Sequence, residues 1–287
     1  MTLSAQARPL ARQDTPRNAM GLLERRVTLA TVGVLLALAA VAWALTLRQA
    51  VSASGMATGL GQVGTRMAMD LTAPLFLGMW LSMMVAMMFP TIAPIVLAHR
   101  AIVRKRGEGW APTVAFVLGY LTVWTAIGLI PLAVLVAVRS MAAQAEPSPA
   151  LVAVSGAILL LAGGYQFTRW KRKCLKACRT PFGFILDHDF GGGSRSAFLA
   201  GISHGAYCLG CCWALMAVLV VVGVMNLVWM VALALVFLAE KNWRHGVVLT
   251  RVAGTLVAGL GFAVLVHPDL LTWLSGGSPP SVMGGHV

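Results

Sequence analysis

The sequence predicts an all-α protein, a polytopic bundle of about seven transmembrane helices, and three observations carry that prediction. Of the 287 residues, 59% are hydrophobic and only 11% are charged, against roughly 25% charged in an ordinary soluble domain. The apolar residues fall in blocks of about 20, the length of helix that crosses a bilayer. Lys and Arg gather in alternate connections between those blocks, as they do in the short cytoplasmic loops of membrane proteins. With 22 Lys and Arg and 9 Asp and Glu, net charge +13, there are too few charged side chains for a large solvated domain.

Residues 1–26 are polar, carry five Arg and lack apolar periodicity, so they read as a flexible basic tail. The first apolar block spans 27–47. A cleaved signal peptide is the rival reading, but the run is long and its polar leader extended, which favours a retained span. Further blocks follow at about 74–98, 111–138, 151–168, 196–222, 226–240 and 247–266. Pro74, Pro112 and Pro149 stand near block starts, where the first helical turn tolerates proline. The predicted transmembrane domain is therefore 27–267, followed by a flexible tail over 268–287.

The tail, the segments 99–110 and 169–195, and the turn at 241–246 hold 18 of the 22 Lys and Arg. Placing these on the cytoplasmic side puts the amino terminus in and the carboxyl terminus out. The positive charge is thus chiefly a topology signal. Asp187 and Asp189 dilute the run at 169–195, which offers no aromatic platform for stacking bases. The expected partner is the lipid bilayer and not nucleic acid.

Chemistry concentrates in the fifth block. His204, Cys208, Cys211 and Cys212 stand at i, i+4, i+7 and i+8 and fall on one helix face. Cysteine is often a small apolar filler, but three thiols and an imidazole on one stripe suit a metal or redox site better. Imidazole and thiolate are ligands for soft or borderline metals. His204 and Cys212 lie about 12 Å apart along a helix axis, so one ion cannot take all four ligands. Cys208 with Cys211 or Cys212 can pinch an ion, and the remaining ligands must come from another helix.

The second block supplies candidates in Met83, Met84, Met87 and Met88, two adjacent i, i+4 ridges. Methionine also fills cores without further purpose. Thioether combined with thiolate selects Cu(I) over harder ions, and the two sets lie at comparable depth in their blocks. Pro90 and Pro94 are expected to break the helix below the Met cluster. Cys174 and Cys178 form a Cys-x3-Cys pair in the basic segment, where a reducing cytoplasm would keep them as thiols. Their position just before the Cys-rich block suggests a hand-off site. Glu240-Lys241 reads as an interfacial pair at a helix end, and Asp187, His188 and Asp189 as a weak alternative site for a hard cation. No phosphate-binding loop, nucleophile elbow or His-Glu-x-x-His motif is present, so trafficking is expected more than catalysis.

The runs Met83-Met84-Val85-Ala86-Met87-Met88-Phe89-Pro90, Cys174-Leu175-Lys176-Ala177-Cys178-Arg179-Thr180-Pro181 and His204-Gly205-Ala206-Tyr207-Cys208-Leu209-Gly210-Cys211-Cys212-Trp213 carry a resemblance. Together with Gly223-Val224-Met225-Asn226-Leu227 and Glu240-Lys241, they resemble a bacterial family described as predicted metal-binding integral membrane proteins, a domain of unknown function. The likeness spans about 70–245 and leaves out the first block. It implies a multi-pass protein of the bacterial inner membrane that binds metal, with copper handling as a theme.

The expected function is accordingly soft-metal binding, with Cu(I) the first candidate and zinc the second, in trafficking or insertion with a metal donor or acceptor protein. The metal ligands expected are His204, Cys208, Cys211, Cys212, Met83, Met84, Met87, Met88, Cys174 and Cys178. Two other readings compete: a transmembrane thiol–disulfide electron relay, and a structural accessory subunit in which these side chains only pack.

Overall fold

A computed structural model of the chain describes residues 15–52, 73–141, 149–187, 192–223 and 226–274. Among these residues the regular structure is entirely helical. It runs α1 (Thr15–Ser52), α2 (Ala73–Lys105), α3 (Ala111–Met141), α4 (Pro149–Tyr165), α5 (Arg169–Arg179), α6 (Pro181–Asp187), α7 (Gly193–Val222), α8 (Leu227–Asn242), α9 (Gly246–Val266) and α10 (Asp269–Leu274). All seven apolar blocks lie mainly in helices. Among the described residues five helices are long and apolar enough to cross a membrane, α1, α2, α3, α7 and α9, and a sixth span results if α4 and α5 count as one bent segment.

The other two blocks make short helices among the described residues. The 16 residues of α8 reach about 24 Å at 1.5 Å per residue, less than the roughly 30 Å of a hydrocarbon core. The 17 residues of α4 are followed by a 61° bend into α5.

Three further differences concern where helices begin, end or continue. The basic stretch at 169–195, expected as a loop, instead forms α5, α6 and the start of α7. Thr168 starts α5 by capping it, its side chain accepting from the Lys171 amide, the usual role of Thr at that position. Helix α1 begins at Thr15, inside the stretch read as a tail, and α10 lies in the carboxyl-terminal stretch read as another. Residues 1–14 and 275–287, together with His188 and Asp189, lie outside the described residues. Finally, α2 continues through Pro90 and Pro94 without a break. In a bundle, neighbouring helices and local adjustment accommodate the carbonyls a proline frees.

Helix α7 is the centre of the molecule. It packs on α3, α4 and α5, while α2 is flanked by α1, α3 and α8, and α4 pairs with α9. Glycine sets the closest approach. A Cβ at Gly119 of α3 would run into the Phe198 backbone of α7, and one at Gly201 of α7 into the Phe116 backbone of α3. Small residues that admit neighbouring backbones are the usual means of packing helices in lipid. Outward faces carry exposed Leu161, Val228 and Leu256, as expected where the surroundings are hydrocarbon. The inward faces of α2 and α7 hold the Met and Cys residues, all of them buried.

Candidate metal centre

One turn of α7 brings three thiols together. The sulfurs of Cys208, Cys211 and Cys212 lie within 4.8 Å of one another, all buried. This follows from the i, i+3, i+4 spacing, which stacks side chains on one helix face. With metal–sulfur bonds of about 2.3 Å, two sulfurs facing each other across an ion stand about 4.6 Å apart. The site therefore has the dimensions to hold one ion between a pair of its thiols. Cys211 and Cys212 both turn their thiols to the Cys208 carbonyl, at 3.1 and 2.9 Å.

A fourth thiol comes from α5. Cys178 Sγ stands 3.8 Å from Cys211 Sγ. Cys174, one turn earlier, is half-buried and lies close to Gly210 of α7, where an added Cβ would sit 2.6 Å from its sulfur. The pair expected to form a separate hand-off site therefore lies directly against the main group. The thiols run from half-buried Cys174 through Cys178 to buried Cys211.

His204 has a different setting. It lies one turn before Cys208 and is buried, but the three-thiol group does not include it. Its ring packs among Phe184, Tyr120 and Phe116, at centroid distances of 5.1, 6.1 and 6.1 Å. Tyr120 links this aromatic group to the sulfurs, its hydroxyl lying 3.2 Å from Cys208 Sγ.

The Met ridges meet the thiols through an intermediary. Met83, Met84, Met87 and Met88 are all buried on α2, yet α2 packs chiefly against α1, α3 and α8. Between α2 and α7 stands Lys241, at the end of α8. Its ammonium donates to Cys208 Sγ at 3.1 Å and Thr91 Oγ1 at 3.2 Å, and lies 3.8 Å from Met88 Sδ. Met88 is thus the methionine in contact with the site's polar centre.

Lys241 and its neighbour correct the interfacial reading of Glu240-Lys241, since both are buried. Glu240 accepts from Lys171 Nζ at 2.8 Å, in a pair with side chains 2% and 0% exposed. Lys171, counted in the sequence among solvated loop cations, is in fact the buried anchor of α5. Arg179 adds a second anchor by donating to the carbonyls of Glu240, Trp243 and Arg244 at the end of α8, where carbonyls lack helical partners. Cys178 is held against Cys211 from both ends of its helix.

Sequence reasoning took Lys241 only as half of an interfacial pair and passed over Tyr120 and Thr91. A signal for Lys241 existed, because an ionisable residue beside an apolar helix is a functional candidate by default. Tyr120 and Thr91 gave none, being ordinary residues in apolar stretches.

A family model described as copper chaperone, PpoB2, matches residues 77–264. The chain belongs to this copper chaperone family. The matched stretch contains every residue of the site, from Met83 to Lys241, and leaves out α1. Searches of curated proteins and of solved structures return no match. Family, apolar helices and buried cysteine cluster agree on a copper-binding membrane protein.

Proposed function

We propose that the protein is an integral membrane Cu(I) carrier of the inner membrane. In this reading it takes the ion at Cys174 and Cys178, on the cytoplasmic side by the charge distribution, and holds it among Cys208, Cys211 and Cys212 for an acceptor protein. The observation that carries the reading is the 3.8 Å separation of Cys178 and Cys211, which joins a half-buried thiol pair to a buried one. An ion can then move by exchanging one thiolate at a time, never losing all its ligands within a low-dielectric interior.

Protein purified anaerobically should carry copper, measured by elemental mass spectrometry. Replacing Cys208 and Cys212 together with Ser exchanges soft ligands for hard hydroxyls. Bound copper should fall at least about tenfold, since even groups that only support a ligand cost 10- to 100-fold. Undiminished copper would make these thiols packing residues, and zinc in its place would change the cargo while keeping the site. The same Cys178–Cys211 contact also favours the thiol–disulfide relay. Titration of free thiols before and after mild oxidation separates the two, because a relay must lose thiols in pairs and reversibly.

The methionines are assigned to the outer part of the site, with Met88 foremost. Leu for Met is nearly volume-conserving and should cost less than about 1.5 kcal/mol in stability. Cu(I) affinity should nonetheless fall more in Met88→Leu than in Met83→Leu, read by competition with a Cu(I) chelator. Equal affinity in both variants and wild type would leave the whole stripe as core.

A further inference from the structure

Lys241 is an unexpected neighbour for a cation site. The residue is buried, 6% exposed, and its ammonium is surrounded by a thiol, a hydroxyl and a thioether, a donor set that would itself suit a metal ion. The other buried cation nearby, Lys171, is neutralised by Glu240, leaving that carboxylate committed elsewhere. Lys241 therefore brings a positive charge to the sulfurs, and its three partners, Cys208, Thr91 and Met88, offer sulfur or a hydroxyl and not a carboxylate.

We infer that Lys241 selects the charge of the ion that the cysteines accept, admitting a soft monovalent ion and disfavouring a divalent one. The inference rests on reading the cysteine group as a Cu(I) site and extends it from softness to charge. Coulomb repulsion is proportional to the charge of the bound ion, so a fixed ammonium beside the sulfurs opposes a divalent ion twice as strongly as a monovalent one. Its support of the thiolates is the same for either ion and cancels in the ratio of affinities. Repulsion is also stronger in a buried site than in water. Softness alone would not give this discrimination, because thiolates bind zinc and cadmium as well as copper.

The test compares Cu(I) and Cd(II) affinities, by chelator competition under anaerobic conditions, in wild type, Lys241→Leu and Lys241→Arg. Leu contributes no ligand atom, and Arg preserves the charge. The Cd(II)-to-Cu(I) affinity ratio should rise at least about tenfold in Lys241→Leu and stay near the wild-type ratio in Lys241→Arg. An unchanged ratio in a folded Lys241→Leu protein, with Cu(I) still bound, overturns the inference and leaves the copper reading intact. Should Lys241→Leu fail to fold, Lys241→Ala, which also brings no ligand atom, takes its place, with the same rise expected and the same unchanged ratio overturning the inference. Wild type that binds neither ion at its cysteines overturns both the copper reading and the inference resting on it.

Discussion

Lys171→Met should lower stability by about 3–5 kcal/mol, read as a shift in thermal or denaturant unfolding in detergent. That is the usual result of removing one partner from a buried ion pair, because the other charge is left uncompensated. The Lys171 and Glu240 side chains are 0% and 2% exposed, so water offers little relief. The double variant Lys171→Met, Glu240→Leu should recover most of the loss, since replacing both charges by apolar groups is often neutral or stabilising. Failure of the single variant to lose stability would mean that the carboxylate finds another partner. Because Lys171 also fastens α5 to α8, the single variant should loosen Cys178 from Cys211. The double variant keeps packing but gives up the fixed geometry, so it should regain stability more fully than copper transfer.

Gly201→Val should be the most damaging change in the α3–α7 interface, costing about 3 kcal/mol or more, at or above the usual range for overpacking. The first added carbon would run into the Phe116 carbonyl and stand 3.0 Å from the Tyr120 amide nitrogen. Backbone cannot turn aside as a side chain can, so the two helices must separate. Tyr120 would then leave Cys208, and bound copper should fall along with stability. Gly164→Ala in α4 and Gly259→Ala in α9 are the controls, since an added Cβ there meets nothing within 4 Å. They should be neutral or slightly stabilising, as alanine favours a helix over glycine. Equal behaviour of Gly201→Val and the controls would show that the close approach is not what holds these helices together.

Both predictions depend on features that were hidden in the amino-acid order. Helix positions were legible because apolar length and periodicity are local properties, and all seven blocks are helical. The grouping of Cys208, Cys211 and Cys212 was legible for the same reason, since i, i+3 and i+4 converge on any helix. The two blocks that fall short of a full span show where local reading weakens. The block 151–168 runs past Tyr165, where α4 ends, and the chain bends by 61° into α5, which Thr168 caps.

What the sequence determined by itself was an all-helical, membrane-suited chain with a sulfur-rich stripe on one face. Only the tertiary structure decided that Cys178 completes that stripe, that Lys171 lies buried against Glu240 and that Lys241 reaches Cys208, Thr91 and Met88. Lys171 and Glu240 are 69 residues apart, and Lys241 and Thr91 150 apart. A charged side chain beside an apolar block can face solvent or interior with the same local sequence. Which it does is fixed by the partners that other helices bring to it, because a buried charge is tolerated only where such partners compensate its desolvation.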